Sequence, residues 1–179
     1  KVSAMFAAFR LRKNFREAAA EATARTADDL VAEVEAAWRP LMEHTISGLA
    51  DFPKLKTIFD ITGGNRNWEI QFSDRYYKRM EGMIGPSHND DASYCILNLG
   101  YQYIQGALIA EGFYTRGAGG LWLTGDYAKG RDGPAEPSCK SNQAGNVEAL
   151  AKFMMACSNQ VLVKDSASSQ MRRMMNNAF

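Results

Sequence analysis

Ser87 and Asn89 stand two positions apart in the stretch Gly85-Pro86-Ser87-His88-Asn89-Asp90-Asp91-Ala92, immediately ahead of an apolar helical run. The spacing by itself says only that a hydroxyl and a carboxamide on one turn could converge. Serine and asparagine are also favoured at turns and helix caps, so a purely capping role competes with a chemical one.

Other reactive residue types assemble no further machinery. His44 falls inside a helical pattern and His88 in a loop, and neither has the Asp or Ser companions of a nucleophile–base triad. Asp90 and Asp91 are a carboxylate pair whose simplest role is to complement the dipole at a helix first turn. The glycines between Gly117 and Gly120 lack the Lys-Ser/Thr of a phosphate cradle. Cys95, Cys139 and Cys157 show no CxxC spacing and have too few histidines nearby for zinc. Cys95 and Cys157 lie on apolar helical faces and read as buried structural thiols, with only Cys139 in a polar loop. No metal and no cofactor is expected.

The elements that must position Ser87 and Asn89 read almost entirely as helix. Lys1 to about Thr23 is rich in Ala, Glu, Arg and Leu, and Met5, Phe6, Phe9 and Leu11 make its first part a buried one. Thr26 caps a second helix with Leu30, Val34, Trp38 and Leu41 on one stripe, which Pro40 should kink or restart. Phe52 to Ile61 reads as one or two further helical turns, broken at Gly63-Gly64-Asn65. Ser73 caps a helix ending at Gly82, and two more run from Asp90 to Gly112, divided near Gly100.

From Tyr114 to Gly145 the glycine and proline content rises, around the short apolar piece Leu121-Trp122-Leu123. Trp122, Leu123 and Tyr127 make this a packed, ordered loop. Asn146 then caps a helix with Leu150, Phe153, Met154 and Cys157 on one face, and Asp165 or Ser166 caps the last one. The expected fold class is all-α, a multi-helix unit over 1–179 with one long Gly/Pro-rich loop.

The order of these elements around Ser87-x-Asn89 resembles the helical subdomain of the penicillin-binding protein and serine β-lactamase superfamily. Ala149-Leu150-Ala151-Lys152-Phe153-Met154, then Val161-Leu162-Val163, then Ala167-Ser168-Ser169-Gln170-Met171 resembles that subdomain's closing helices. Lys1-Val2-Ser3-Ala4-Met5-Phe6-Ala7-Ala8-Phe9 is similar to the helix that follows the nucleophile of a Ser-x-x-Lys motif. The resemblance spans essentially the whole chain. It implies that Lys1 is the motif lysine and general base, that Ser87 relays a proton to the leaving nitrogen, and that Asn89 orients a substrate amide.

The nucleophilic serine would stand three residues before Lys1, and the Lys-Thr-Gly strand and its sheet subdomain beyond Phe179. By itself, then, this helical half would be inactive. Its partners would be an amide, peptide or β-lactam-type substrate and the missing sheet subdomain, in a periplasmic or otherwise extracytoplasmic setting.

The family's class A β-lactamases carry a Glu-x-x-Leu-Asn loop whose glutamate activates the deacylating water. This chain instead has Gly119-Gly120-Leu121-Trp122-Leu123-Thr124-Gly125-Asp126-Tyr127, with Asp126 and Glu136 the nearby acids, neither in that pattern. A serine acyl hydrolase for another substrate, or an enzyme that acylates and stalls, fits better than rapid β-lactam hydrolysis. Trp122 and Tyr127 are candidate cleft-lining aromatics.

Composition bounds these readings. The 179 residues are 46% hydrophobic and carry 21 basic against 20 acidic side chains, which excludes global disorder. That near-neutral balance argues against a nucleic-acid partner and a polybasic membrane contact. No apolar run approaches the roughly 20 residues of a membrane span. The rival readings are a non-catalytic helical binding module or a pseudo-enzyme, with Ser87 and Asn89 serving only as a helix cap.

Overall fold

In the computed structural model, which describes residues 1–42, 46, 49–128, 133–163 and 166–176, α1 (Val2–Glu21) forms the axis of the molecule. Its helix-forming composition makes the element, and its aromatic residues decide where it goes. Every residue from Ser3 to Phe9 is buried, so no face of this half meets water. Phe6 packs edge-on against Phe113 at 5.7 Å and Phe153 at 5.9 Å, and Phe9 packs against Phe72 at 5.1 Å. Further along, Phe15 lies 5.6 Å from Phe59. A helix hydrophobic all round must be surrounded, and this one is.

The remaining helices are α2 (Ala27–Met42), the one-turn α3 (Leu55–Ile58), α4 (Asp74–Ile84), α5 (Asn89–Leu99), α6 (Tyr101–Ala110), α7 (Val147–Ser158) and α8 (Ser166–Asn176). Of these, α2, α4, α5, α6 and α8 all pack on α1. The expected caps at Thr26, Ser73 and Asn146 are made: each accepts from the backbone N–H three residues on, at 3.1, 3.3 and 2.8 Å. Pro40 does not end α2, which continues to Met42. Gly100, at φ +78°, separates α5 from α6, and Asp51 accepts from the first free amides of α6, Tyr101 at 2.5 Å and Gln102 at 3.1 Å. The expected settings of His44, Gly130 and the Asp165 or Ser166 cap lie outside the residues and side chains described.

An all-α class is not what the chain adopts. Among the described residues the structure is 57% helical and mixed, with three antiparallel strand pairs. The segment expected as helical turns runs from α3 directly into β1 (Phe59–Gly64), which pairs with β2 (Asn67–Phe72). Its register sets Phe59 opposite Phe72 and Ile61 opposite Ile70, with Asp60, Thr62, Glu69 and Gln71 on the other face. Phe59, Ile70 and Phe72 are buried against the core, and β2 packs on α1. This is period-two alternation, and it wins over helix because it offers one clean apolar face to α1. Asn65 (φ +50°) and Arg66 (φ +70°) close the hairpin with both central residues left-handed, as a two-residue type I′ turn requires.

The long loop is stapled by two short ladders. β3 (Tyr114–Thr115) pairs with β4 (Gly119–Gly120), and β5 (Trp122–Leu123) pairs with β6 (Gln143–Ala144). Leu121, Trp122 and Leu123 are buried, as their composition requires. Glu136 fixes the second half of the loop. Its carboxylate accepts from the Tyr114 hydroxyl at 3.0 Å, the Ser138 amide at 2.7 Å and hydroxyl at 2.5 Å, and the Cys139 amide at 2.9 Å. These donors hold its pKa down to about 2, led by the Ser138 hydroxyl.

Phe6 joins α1 to Phe113 and to Phe153 of α7 in a fully buried cluster. Phe6→Ala is expected to cost about 3–5 kcal/mol, the usual range for removing a buried phenyl ring. Urea unfolding of the variant measures it, and a loss below about 1 kcal/mol would mean that the cluster collapses to fill the void.

Candidate functional site

Lys1 occupies the N-cap position of α1, where its carbonyl accepts from Ala4 at 3.0 Å and Met5 at 3.1 Å. Because the helix behind it is buried, the start of the Lys1 side chain is fixed by the core. From there Nζ reaches the turn between α4 and α5, donating to the Ser87 carbonyl at 2.5 Å, the Ser87 Oγ at 2.9 Å and the Asn89 Oδ1 at 2.9 Å. The structure therefore brings Lys1, Ser87 and Asn89 into one cluster.

Neither Ser87 nor Asn89 is occupied as a helix cap. The N-cap of α5 is His88, and no side chain accepts a capping hydrogen bond there. Ser87 takes a left-handed backbone, φ +61°, which is uncommon for a residue bearing a Cβ. That conformation turns its carbonyl as well as its hydroxyl onto the ammonium.

Tyr127 joins the cluster from the long loop. Its ring lies 4.9 Å from Lys1 Nζ, and its hydroxyl accepts from the Lys1 main-chain nitrogen at 3.2 Å. The approach of a cation to an aromatic face stabilises the charged amine. Burial acts in the opposite sense and lowers the Lys1 pKa from its ordinary value. Trp122 is held elsewhere: its indole N–H donates to Thr124 Oγ1 at 2.9 Å and the Pro134 carbonyl at 3.2 Å, and its ring packs on Tyr114 at 4.9 Å.

A buried hydroxyl that the sequence did not single out holds Tyr127 in place. Ser93 Oγ accepts from the amides of Tyr127 at 3.0 Å and Ala128 at 2.9 Å, and Ser93 is completely buried. The available signal was a polar side chain inside the apolar run of α5, four residues after Asn89 and beside Ala92. Asp91 was read only as a helix-dipole carboxylate. It does sit in the α5 first turn, but it also meets Arg79 at 2.5 Å and the His88 ring at 3.1 Å.

Glu136 has its oxygens engaged by four donors within the loop, and the same contacts keep it ionised. Cys95 and Cys157 are buried, with burial pushing the Cys95 thiol up to about 12, while Cys139 is exposed. Among the described residues no group of three or more His, Cys, Asp and Glu side chains is placed to hold a metal ion. No helix among them is long and apolar enough to cross a membrane.

Ser93→Ala leaves the amides of Tyr127 and Ala128 without their acceptor, at an expected cost of about 1–3 kcal/mol for buried donors. Amide hydrogen exchange at these two positions should accelerate in the variant. Unchanged exchange there would show that the loop is secured to α5 by other contacts. Comparison of the chain with protein-family models, curated proteins and solved structures finds no match.

Proposed function

We propose that Lys1, Ser87 and Asn89 are the acylation centre of a serine acyl hydrolase or acyltransferase of the penicillin-binding and β-lactamase-like kind. The observation that carries this reading is the donor–acceptor balance at Lys1 Nζ. Its ammonium has three N–H bonds, and three oxygens receive them: the Ser87 carbonyl, the Ser87 hydroxyl and the Asn89 carboxamide.

Removal of one proton changes what each partner can do. A carbonyl and a carboxamide oxygen only accept, so they lose a donor when the amine becomes neutral. The Ser87 hydroxyl alone can reverse and donate to the new lone pair. It is therefore the group through which a proton enters or leaves this amine on the substrate side. The neutral amine acts as general base on a serine hydroxyl, which in this reading stands one helical turn ahead of Lys1.

The hydroxyl oxygen then attacks the substrate carbonyl, and its proton passes to Lys1. From there Ser87 relays a proton to the leaving nitrogen. Asn89, held on Lys1 through Oδ1, keeps its Nδ2 donors for a substrate amide carbonyl. The substrate is an amide of the peptide or β-lactam type, and the sheet subdomain supplies the oxyanion donors and the Lys-Thr-Gly strand. The same family reading places the protein in the cell envelope or another extracytoplasmic compartment.

Turnover of the acyl-enzyme is expected to be slow. Glu136 is committed to Tyr114, Ser138 and Cys139 within the loop, which disfavours it as the base that activates water.

The test is incubation of the full-length protein with a fluorescent penicillin, followed by mass spectrometry of the intact chain. A stable covalent adduct is expected. A folded protein that takes no label overturns the reading for this class of amide. Ser87→Ala should slow labelling about 10²–10⁴-fold, the range for loss of a proton-transfer group.

The pH profile has a defined sign. The base form of Lys1 is the neutral amine, so labelling rises with pH and levels off above the Lys1 pKa. Because burial lowers that pKa, the half-maximal point should fall below the ~10.4 of a free lysine. A rate that falls as pH rises through this region would exclude Lys1 as the base.

A further inference from the structure

The turn carrying Ser87 and Asn89 is tied to α4 by side-chain contacts as well as by a main-chain contact to the last turn of that helix. Asp91 is almost wholly buried, and its two oxygens go in different directions. Oδ1 meets Arg79 Nη1 at 2.5 Å, and Oδ2 lies 3.1 Å from His88 Nδ1. The His88 main-chain N–H donates to the Gly82 carbonyl at 2.9 Å. The Arg79 guanidinium also lies 5.5 Å from the Tyr94 ring.

Gly82 makes the arrangement possible. A Cβ there would overlap Asp91 Oδ2, so the carboxylate sits in the space that an absent side chain leaves on α4. The adjacent Asp90 is exposed and already complements the α5 dipole, so burial of a second carboxylate adds nothing on that account. Burial of a charge has a desolvation cost that is offset only by close partners, here Arg79 and His88.

We infer that Arg79, Asp91 and His88 form a clamp that locks the residue between Ser87 and Asn89 and so holds their three oxygens on the Lys1 ammonium. His88 is the middle residue of Ser87-x-Asn89, so a pull on its ring and its amide fixes the backbone on both sides at once. The left-handed Ser87 is the part of the turn that would relax if released. Asp91 and His88 are positioning residues: Asp91 acts through His88, and His88 through the backbone of Ser87 and Asn89. This rests on the acyl-transfer reading above.

The charged groups around His88 are Asp91 and, behind it, Arg79. Asp90 shares with these residues and Asn89 an open cavity of about 370 Å³, and Lys1 lies on the far side of the turn. Among the described residues no carboxylate comes within 4.0 Å of Lys1 Nζ. The turn's oxygens are therefore what holds the ammonium, together with the Tyr127 ring.

The test is the fluorescent-penicillin reaction of the full-length protein, resolved into a dissociation constant and a first-order acylation constant. Asp91→Asn should lower the acylation constant on the order of tenfold or more, with the dissociation constant changed less than about twofold. The half-maximal pH should move down, because loosened oxygens no longer favour the charged amine. His88→Ala, at an exposed ring, keeps the question answerable if Asp91→Asn does not fold. His88→Asn, whose Nδ2 replaces Nδ1 as donor, should restore the rate.

A merely structural role would lower the thermal midpoint and leave the acylation constant and pH profile of the folded variant unmoved. Wild-type rate and profile in both Asp91→Asn and His88→Ala would overturn the clamp. If the wild-type protein takes no label, the acyl-transfer reading fails separately. The clamp is then judged by the ¹⁵N amide shifts of residues 87–89, which Asp91→Asn must displace; unchanged shifts would overturn it.

Discussion

A helix buried on every side cannot slide or rotate without emptying the core around it, and that constraint governs this molecule. The first turns of α1 have no solvent face at all: Ser3 to Phe9 are enclosed by α5, α6, β2 and the Phe113–Phe153 cluster. Lys1 directly precedes these buried turns. Interiors packed to crystal-like density do not yield by an ångström without loss, so the amine starts from a fixed point. The turn that meets it is set from the other direction, by α4 and α5.

Fixing both sides makes a three-donor, three-acceptor fit possible around a single nitrogen. A lysine on a flexible surface stem loses much side-chain entropy when it is held in one geometry. Here the stem leaves a rigid helix and the acceptors sit on a braced turn, so the fit asks for less ordering. Burial disfavours the charged amine, while the oxygens and the Tyr127 ring favour it. A group balanced between opposing influences is suited to giving up and taking back a proton.

Much of the helical architecture was legible because it is local. Thr26, Ser73 and Asn146 cap where their side-chain chemistry says, and the glycine at 100 divides α5 from α6. The hairpin was not read, although Phe59-Asp60-Ile61-Thr62 and Trp68-Glu69-Ile70-Gln71-Phe72 do alternate. Each run is short, the turn Asn65-Arg66 lacks the glycine that usually marks a type I′ hairpin, and α3 precedes β1 without a break. Packing against α1 decides the matter, and packing is not local.

The site divides in the same way. Ser87 and Asn89 were visible as a spaced pair, and their meeting with Lys1 was expected from resemblance alone. Arg79, Gly82 and Ser93 were invisible because their roles arise from what lies opposite them in space. A glycine inside a helix has no signature that says a carboxylate occupies its missing Cβ. A serine in an apolar run shows only as an irregularity until the loop it holds is known.

The hydrogen bond from Lys1 to Ser87 joins positions 86 residues apart, and that to Asn89 joins positions 88 apart. Contacts at such separation close late, after the cost of confining the intervening chain has been offset by packing. Ser87 and Asn89 share one turn, but the ammonium that meets them arrives from the far end of the sequence, so the three come together only as the core around α1 is completed.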